Sequence, residues 1–95
     1  MILEAQIRLL TSEEGGMNRD GRSGMMPSFD VNGELIMCAV NLVDPDDTIK
    51  RGIVYVVTIQ LPYAENYKNI IVPQYEFNLN YGGKIIGKGT VIKIT

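Results

Sequence analysis

The 95 residues carry nine basic and eleven acidic side chains, no His, no Trp and a single Cys, and 45% of them are hydrophobic. That length holds one domain, and a core so small makes an efficient closed architecture or a partner an expected aid to stability. Without His there is no Ser-His or Cys-His pair and no imidazole metal site, and one Cys cannot build a Cys-x-x-Cys motif. The composition therefore points to a binding module, not an enzyme, with neither cofactor nor metal.

The net charge of −2 conceals an asymmetry. Residues 1–47 set Arg8, Arg19 and Arg22 against nine carboxylates, a balance of −6. Residues 48–95 set Lys50, Arg51, Lys68, Lys84, Lys88 and Lys93 against Glu65 and Glu76, a balance of +4. Folding can interleave the halves into an ordinary mixed surface, or gather the cations into a face that meets phosphate. One Cys, no basic leader and no long apolar run predict a cytoplasmic chain without a signal peptide or membrane span.

Taken in order, residues 3–9 alternate Leu3, Ala5, Ile7 and Leu9 with Glu4, Gln6 and Arg8, the period of a half-buried antiparallel strand. Residues 11–27, with four Gly, both signs of charge and Met17, Met25 and Met26, read as a long functional or mobile loop. Asn32-Gly33 predicts a hairpin between residues 28–31 and 34–43, whose second arm is apolar on both faces and expected to be covered on both. Asp44-Pro45-Asp46-Asp47 stops that arm. Residues 53–61, rich in Ile, Val, Thr and Tyr, predict a central strand, and residues 63–73 a loop with room for a short strand at 70–72. Residues 75–80 and 84–94 form the last two strands about a Gly82-Gly83 turn. Gly87 and Gly89 share one face, where a missing side chain permits a bend or a close backbone approach. No segment repeats at the helical period, so a barrel or sandwich follows, and the paired strand glycines favour the barrel.

Three motifs invite chemistry, and each has a plainer alternative. Gly82-Gly83-Lys84 lacks the remaining positions of a phosphate loop and is a hairpin turn. Asp44, Asp46 and Asp47 lack the spacing of a calcium loop and read as a solvated turn. Glu13, Glu14 and Asp20 could supply an acid-base pair only if one carboxyl sat in an apolar pocket with a raised pKa. The three loop methionines either cap an open barrel end or offer an adaptable apolar contact to a partner.

Glu4-Ala5-Gln6-Ile7, Leu10-Thr11, Glu13-Glu14-Gly15-Gly16, Gly24, Pro27 and Phe29 form one block, and Gly52, Val56-Val57-Thr58 and Pro62 follow it. The chain closes with Gly82-Gly83-Lys84-Ile85-Ile86-Gly87-Lys88-Gly89-Thr90-Val91. In this order and spacing the sequence resembles the third, C-terminal β-barrel domain of bacterial elongation factor Tu. The resemblance implies an all-β, six-stranded antiparallel closed barrel with Greek-key character over residues 1–95. It also implies a surface that, in the family, grips aminoacyl-tRNA and meets the nucleotide-binding domain and the exchange factor.

Several family positions differ here: Met17-Asn18 follow Gly15-Gly16 in place of a basic residue and His, Met26 and Ser28 flank Pro27 in place of Arg and Gln, and Asn80-Tyr81 precede Gly82 in place of Arg-Glu. Lys84 keeps its basic character, and the loop between Pro62 and Tyr75 is longer than the family's. Losing cations from a phosphate-reading surface weakens it steeply. The expected function is thus protein recognition, linked to the translation machinery or mimicking that factor, with Met17, Arg19, Arg22, Met25, Met26, Tyr81, Lys84 and Lys88 as candidate contacts. RNA binding beside a separately encoded GTPase, with Arg19, Arg22, Lys84 and Lys88 replacing the lost cations, and an immunity or decoy role toward a toxin are the alternatives.

Overall fold

A computed structural model describes residues 1–43 and 47–95. Nine strands are present among them: β1 (Ile2–Leu9), β2 (Gly21–Arg22), β3 (Ser28–Val31), β4 (Glu34–Met37), β5 (Ala39–Leu42), β6 (Thr48–Ile49), β7 (Val54–Gln60), β8 (Glu76–Tyr81) and β9 (Lys84–Ile94). Seven form one sheet in the order β4-β3-β8-β9-β1-β7-β5, and β2 pairs with β6 in a small second sheet. Every pair is antiparallel.

The closed six-stranded barrel expected from the sequence and from the elongation-factor resemblance is corrected by this order: the main sheet is an open, curled half-barrel that ends at β4 on one side and β5 on the other. The physical reason lies at Cys38. The arm expected as one strand is interrupted there: the Cys38 N–H reaches the Pro27 carbonyl (3.3 Å), the next position in the β3–β4 register, but Pro27 has no N–H to return the bond, and the buried Cys38 thiol donates to the same oxygen (3.2 Å). The half before the break pairs with β3 and the half after it pairs with β7. The two edges are thus joined through the chain, and β5 is tied to the segment before β3 only by an isolated bridge, Gly24 N–H to Val40 O (2.7 Å) and Val40 N–H to Met25 O (2.9 Å). Nor is the broken arm covered on both faces, since Leu35 and Met37 are each 47% exposed.

Other elements follow the pattern closely. β1 alternates as read, its Leu3, Ala5, Ile7 and Leu9 buried. Asn32 (φ 50°) and Gly33 (φ 93°) form the β3–β4 turn, and Gly82 and Gly83 the β8–β9 turn, both left-handed as a two-residue hairpin requires. The strand expected to be central, β7, is paired on both sides but lies next to the sheet edge, and β9 takes the middle. No strand forms at 70–72. Residues 65–67 make one turn of 3-10 helix, the Tyr67 hydroxyl donates to Glu34, and Ala64 and Ile71 join the core with Leu61. Phe29 and Phe77 stack at 4.3 Å in that core.

Candidate functional site

Alternation along β1, β8 and β9 sends one polar set to the outer face of the sheet. The register lines Asn78, Lys88 and Arg8 in one row across the three strands, and Glu76, Thr90 and Gln6 in the next. Val54, opposite Arg8 on β7, ends the first row. These side chains line a groove of about 550 Å³, walled at its other end by Asp30, Asn32 and Gly33 of the β3–β4 hairpin. The wall is pinned by one hydroxyl: Tyr75 donates to the Asp30 carbonyl (2.8 Å) and accepts from the Asn32 N–H (3.1 Å).

The electrostatics of this groove are mixed. Arg8 and Lys88 face each other directly across β1 and β9, an arrangement that repels unless an anion intervenes. Glu14 partners Arg8 (2.7 Å), whereas Lys88 makes no hydrogen bond or ion pair among the described residues. The side chains of Gln6, Glu76, Asn78 and Thr90 likewise bond to nothing among the described residues. Five polar groups without partners thus converge on one concave surface, with Lys88 and Arg8 toward β1 and Glu76 and Asp30 toward β3.

The eight residues expected to form a contact surface are distributed over the molecule. Met17, Arg19 and Lys84 do come together, with Gly16 and Asn18, in a second groove of about 470 Å³, where the Lys84 ammonium donates to the Gly16 carbonyl (2.9 Å). Arg22 pairs with Asp47 (2.9 Å) beside the small sheet. Met25 packs on the core, while Met26, 55% exposed, lines an apolar groove of about 290 Å³ with Ile2, Met37 and Leu61. Tyr81 is exposed at the end of β8. Only Lys88 belongs to the outer groove. Of its companions, Gln6, Arg8, Glu76 and Asn78 were visible as the polar sides of alternating strands and Thr90 was not, but alternation within one strand does not reveal which strands are neighbours.

The acidic loop residues serve as anchors. Glu14 accepts from the Thr11 N–H (2.9 Å), from Arg8 and from the Thr11 hydroxyl (3.1 Å). The Thr11 N–H and then the guanidinium hold its carboxyl down at about 2, against an ordinary 4.5. Asp20 is lowered in the same way by the Arg51 N–H (3.0 Å) and guanidinium (3.1 Å), and Arg51 also donates to the Met17 carbonyl (2.8 Å). A general acid would need the opposite shift. The long loop is therefore tied to the body by Arg8, Arg51 and Lys84.

Because the Glu14 pKa is lower folded than unfolded, its carboxylate stabilises the fold above pH of about 4.5, and that contribution is lost as pH falls toward about 2. Glu14→Gln is expected to melt below the wild type near neutral pH and to converge with it by pH of about 2. Thermal melts across that range check this, and a gap that does not close with acid would remove the carboxylate from the account.

The chain matches no protein-family model. Among the described residues no three His, Cys, Asp or Glu side chains are placed to hold a metal ion, and the Asp44 and Asp46 of the expected turn lie outside them. Likewise, no helix among them is long and apolar enough to cross a membrane.

Proposed function

We propose that this domain is a non-enzymatic module that recognises a protein partner through the outer groove. The observation that supports this best is the set of unpartnered polar side chains, Gln6, Glu76, Asn78, Lys88 and Thr90, gathered behind a wall that Tyr75 holds in place. Groups left without internal bonds on a preformed concave surface can pair with a ligand without first breaking contacts of their own.

The mixed charge favours protein over nucleic acid. A phosphate backbone tracks a row of cations, and here it would meet Glu76 and Asp30 beside Lys88, with Arg8 already shared with Glu14. The cations of residues 48–95 are also dispersed: Lys84 sits at a hairpin, Arg51 beside the long loop and Lys88 in the groove. With the sheet open, the expected tie to the translation machinery loses the closed barrel it rested on, and the reading depends on this chain's own surface. A non-catalytic role is supported by the only thiol, which burial pushes up to about 12, so that it is not a nucleophile at neutral pH.

Affinity capture from cell extract with the wild type and with Lys88→Glu tests the reading. A protein retained by the wild type after ribonuclease treatment and lost from the variant is expected. Capture of RNA alone would overturn it.

A further inference from the structure

Resting on that reading, we infer that the groove takes an extended peptide segment carrying one basic and one acidic side chain at alternate positions, the acid over Lys88 and Arg8 and the base over Glu76 and Asp30. Four features converge on this occupant. The two cations stand on β9 and β1 and the two carboxylates on β8 and β3, so the groove is a charge dipole laid across the strands. Neighbouring strands are about 4.8 Å apart, which places the two charge centres roughly 10 Å from each other. In an extended chain only alternate residues share a face, about 7 Å apart, and the flexible stems of Lys and Glu cover the remainder. Finally, the same two rows present amides and a hydroxyl beside the charges, Asn78 in the row of Lys88 and Arg8 and Thr90 and Gln6 in the row of Glu76, which can serve the peptide's backbone N–H and C=O groups.

Lys88 is the main attractive element for the acid. It has no internal partner to give up among the described residues, whereas Arg8 already shares its charge with Glu14 (2.7 Å). Glu76 has the same role toward the base. A ligand that is uniformly acidic would meet Glu76 and Asp30, and a uniformly basic one would meet Lys88 and Arg8. Charge order therefore acts as the specificity filter.

The test titrates the isotopically labelled full chain with two capped peptides of one composition, Thr-Lys-Val-Glu-Thr and Thr-Lys-Glu-Val-Thr, and with a uridine dodecamer, following backbone amide resonances. The alternating peptide is expected to shift the amides of Gln6, Lys88 and Thr90 and to bind about three- to tenfold more tightly than the adjacent-charge peptide. Lys88→Gln and Glu76→Gln, both at exposed positions, are each expected to reduce that preference by a similar factor. Equal binding of the two peptides, or shifts confined to other surfaces, overturns the inference while leaving protein recognition to stand or fall on the capture experiment. Uridine dodecamer shifting the same amides more strongly than either peptide overturns both.

Discussion

Gly89→Ala is expected to lower the melting temperature by about 5–20 °C. A Cβ at position 89 would lie 2.5 Å from the Phe77 ring tip, 2.6 Å from the Gln6 carbonyl oxygen and 2.9 Å from Ile7 Cγ2. The ring tip can swing aside, but the carbonyl belongs to β1, which is laddered to β7 and β9 on its two sides. Overfilling a packed site of this kind costs about 1–3 kcal/mol, and each kcal/mol shifts melting by about 4–8 °C for a domain of this size. Gly87→Ala supplies the control. Its nearest neighbour is the flexible Leu9 Cδ2 at 3.0 Å, so a smaller fall is expected. Calorimetry of the two variants checks the order, and equal falls would show that backbone approach at Gly89 is not the constraint. Because Lys88 and Thr90 flank Gly89, peptide affinity in the groove is expected to fall with it.

Phe29→Ala is expected to cost about 3–5 kcal/mol, the range for removing a buried aromatic side chain. Phe29 is fully buried, stacked on Phe77 at 4.3 Å and tilted against Tyr75 at 6.3 Å. Its importance comes from the short ladder at that edge. β3 meets β8 at only two register pairs, Ser28↔Asn80 and Phe29↔Leu79, so side-chain packing carries much of the attachment of the β3–β4 hairpin. That hairpin is the groove wall, and Tyr75, which pins its tip, packs on Phe29 itself. Denaturant unfolding is expected to show the stability loss, and loss of the groove amide shifts with peptide should accompany it under conditions where the variant remains folded. A variant that stays as stable as wild type would mean that the edge is held by something other than this ring cluster.

The contrast between what was legible and what was not runs through particular residues. Asn32-Gly33 and Gly82-Gly83 announced their turns because positive backbone φ angles suit few residue types. Leu3, Ala5, Ile7 and Leu9 announced a buried face because a strand repeats every two residues. The break at Cys38 left no such mark within its own arm: Leu35 to Val40 is uniformly apolar, and the residue responsible, Pro27, which has no N–H to return the Cys38 bond, lies in the opposite arm. Glu14 and Asp20 read as solvated loop carboxylates until Arg8 from β1 and Arg51 from the turn between β6 and β7 arrived to bind them.

The all-β class, the two tight turns, the inward sets on β1 and β8 and the want of histidine chemistry were all present in the order and kind of residues. They depend on local backbone preference and on side-chain type, which each short segment carries with it. Sheet order, the open edges and the composition of the groove were not, because they arise from pairing between segments far apart in the chain. Gln6, Asn78 and Lys88 become neighbours only when β1, β9 and β8 are laid side by side. The small, acidic, histidine-free chain of the opening count thus acquires a surface where one cation and one carboxylate from each half of the sequence, Arg8 with Asp30 and Lys88 with Glu76, meet in a single groove.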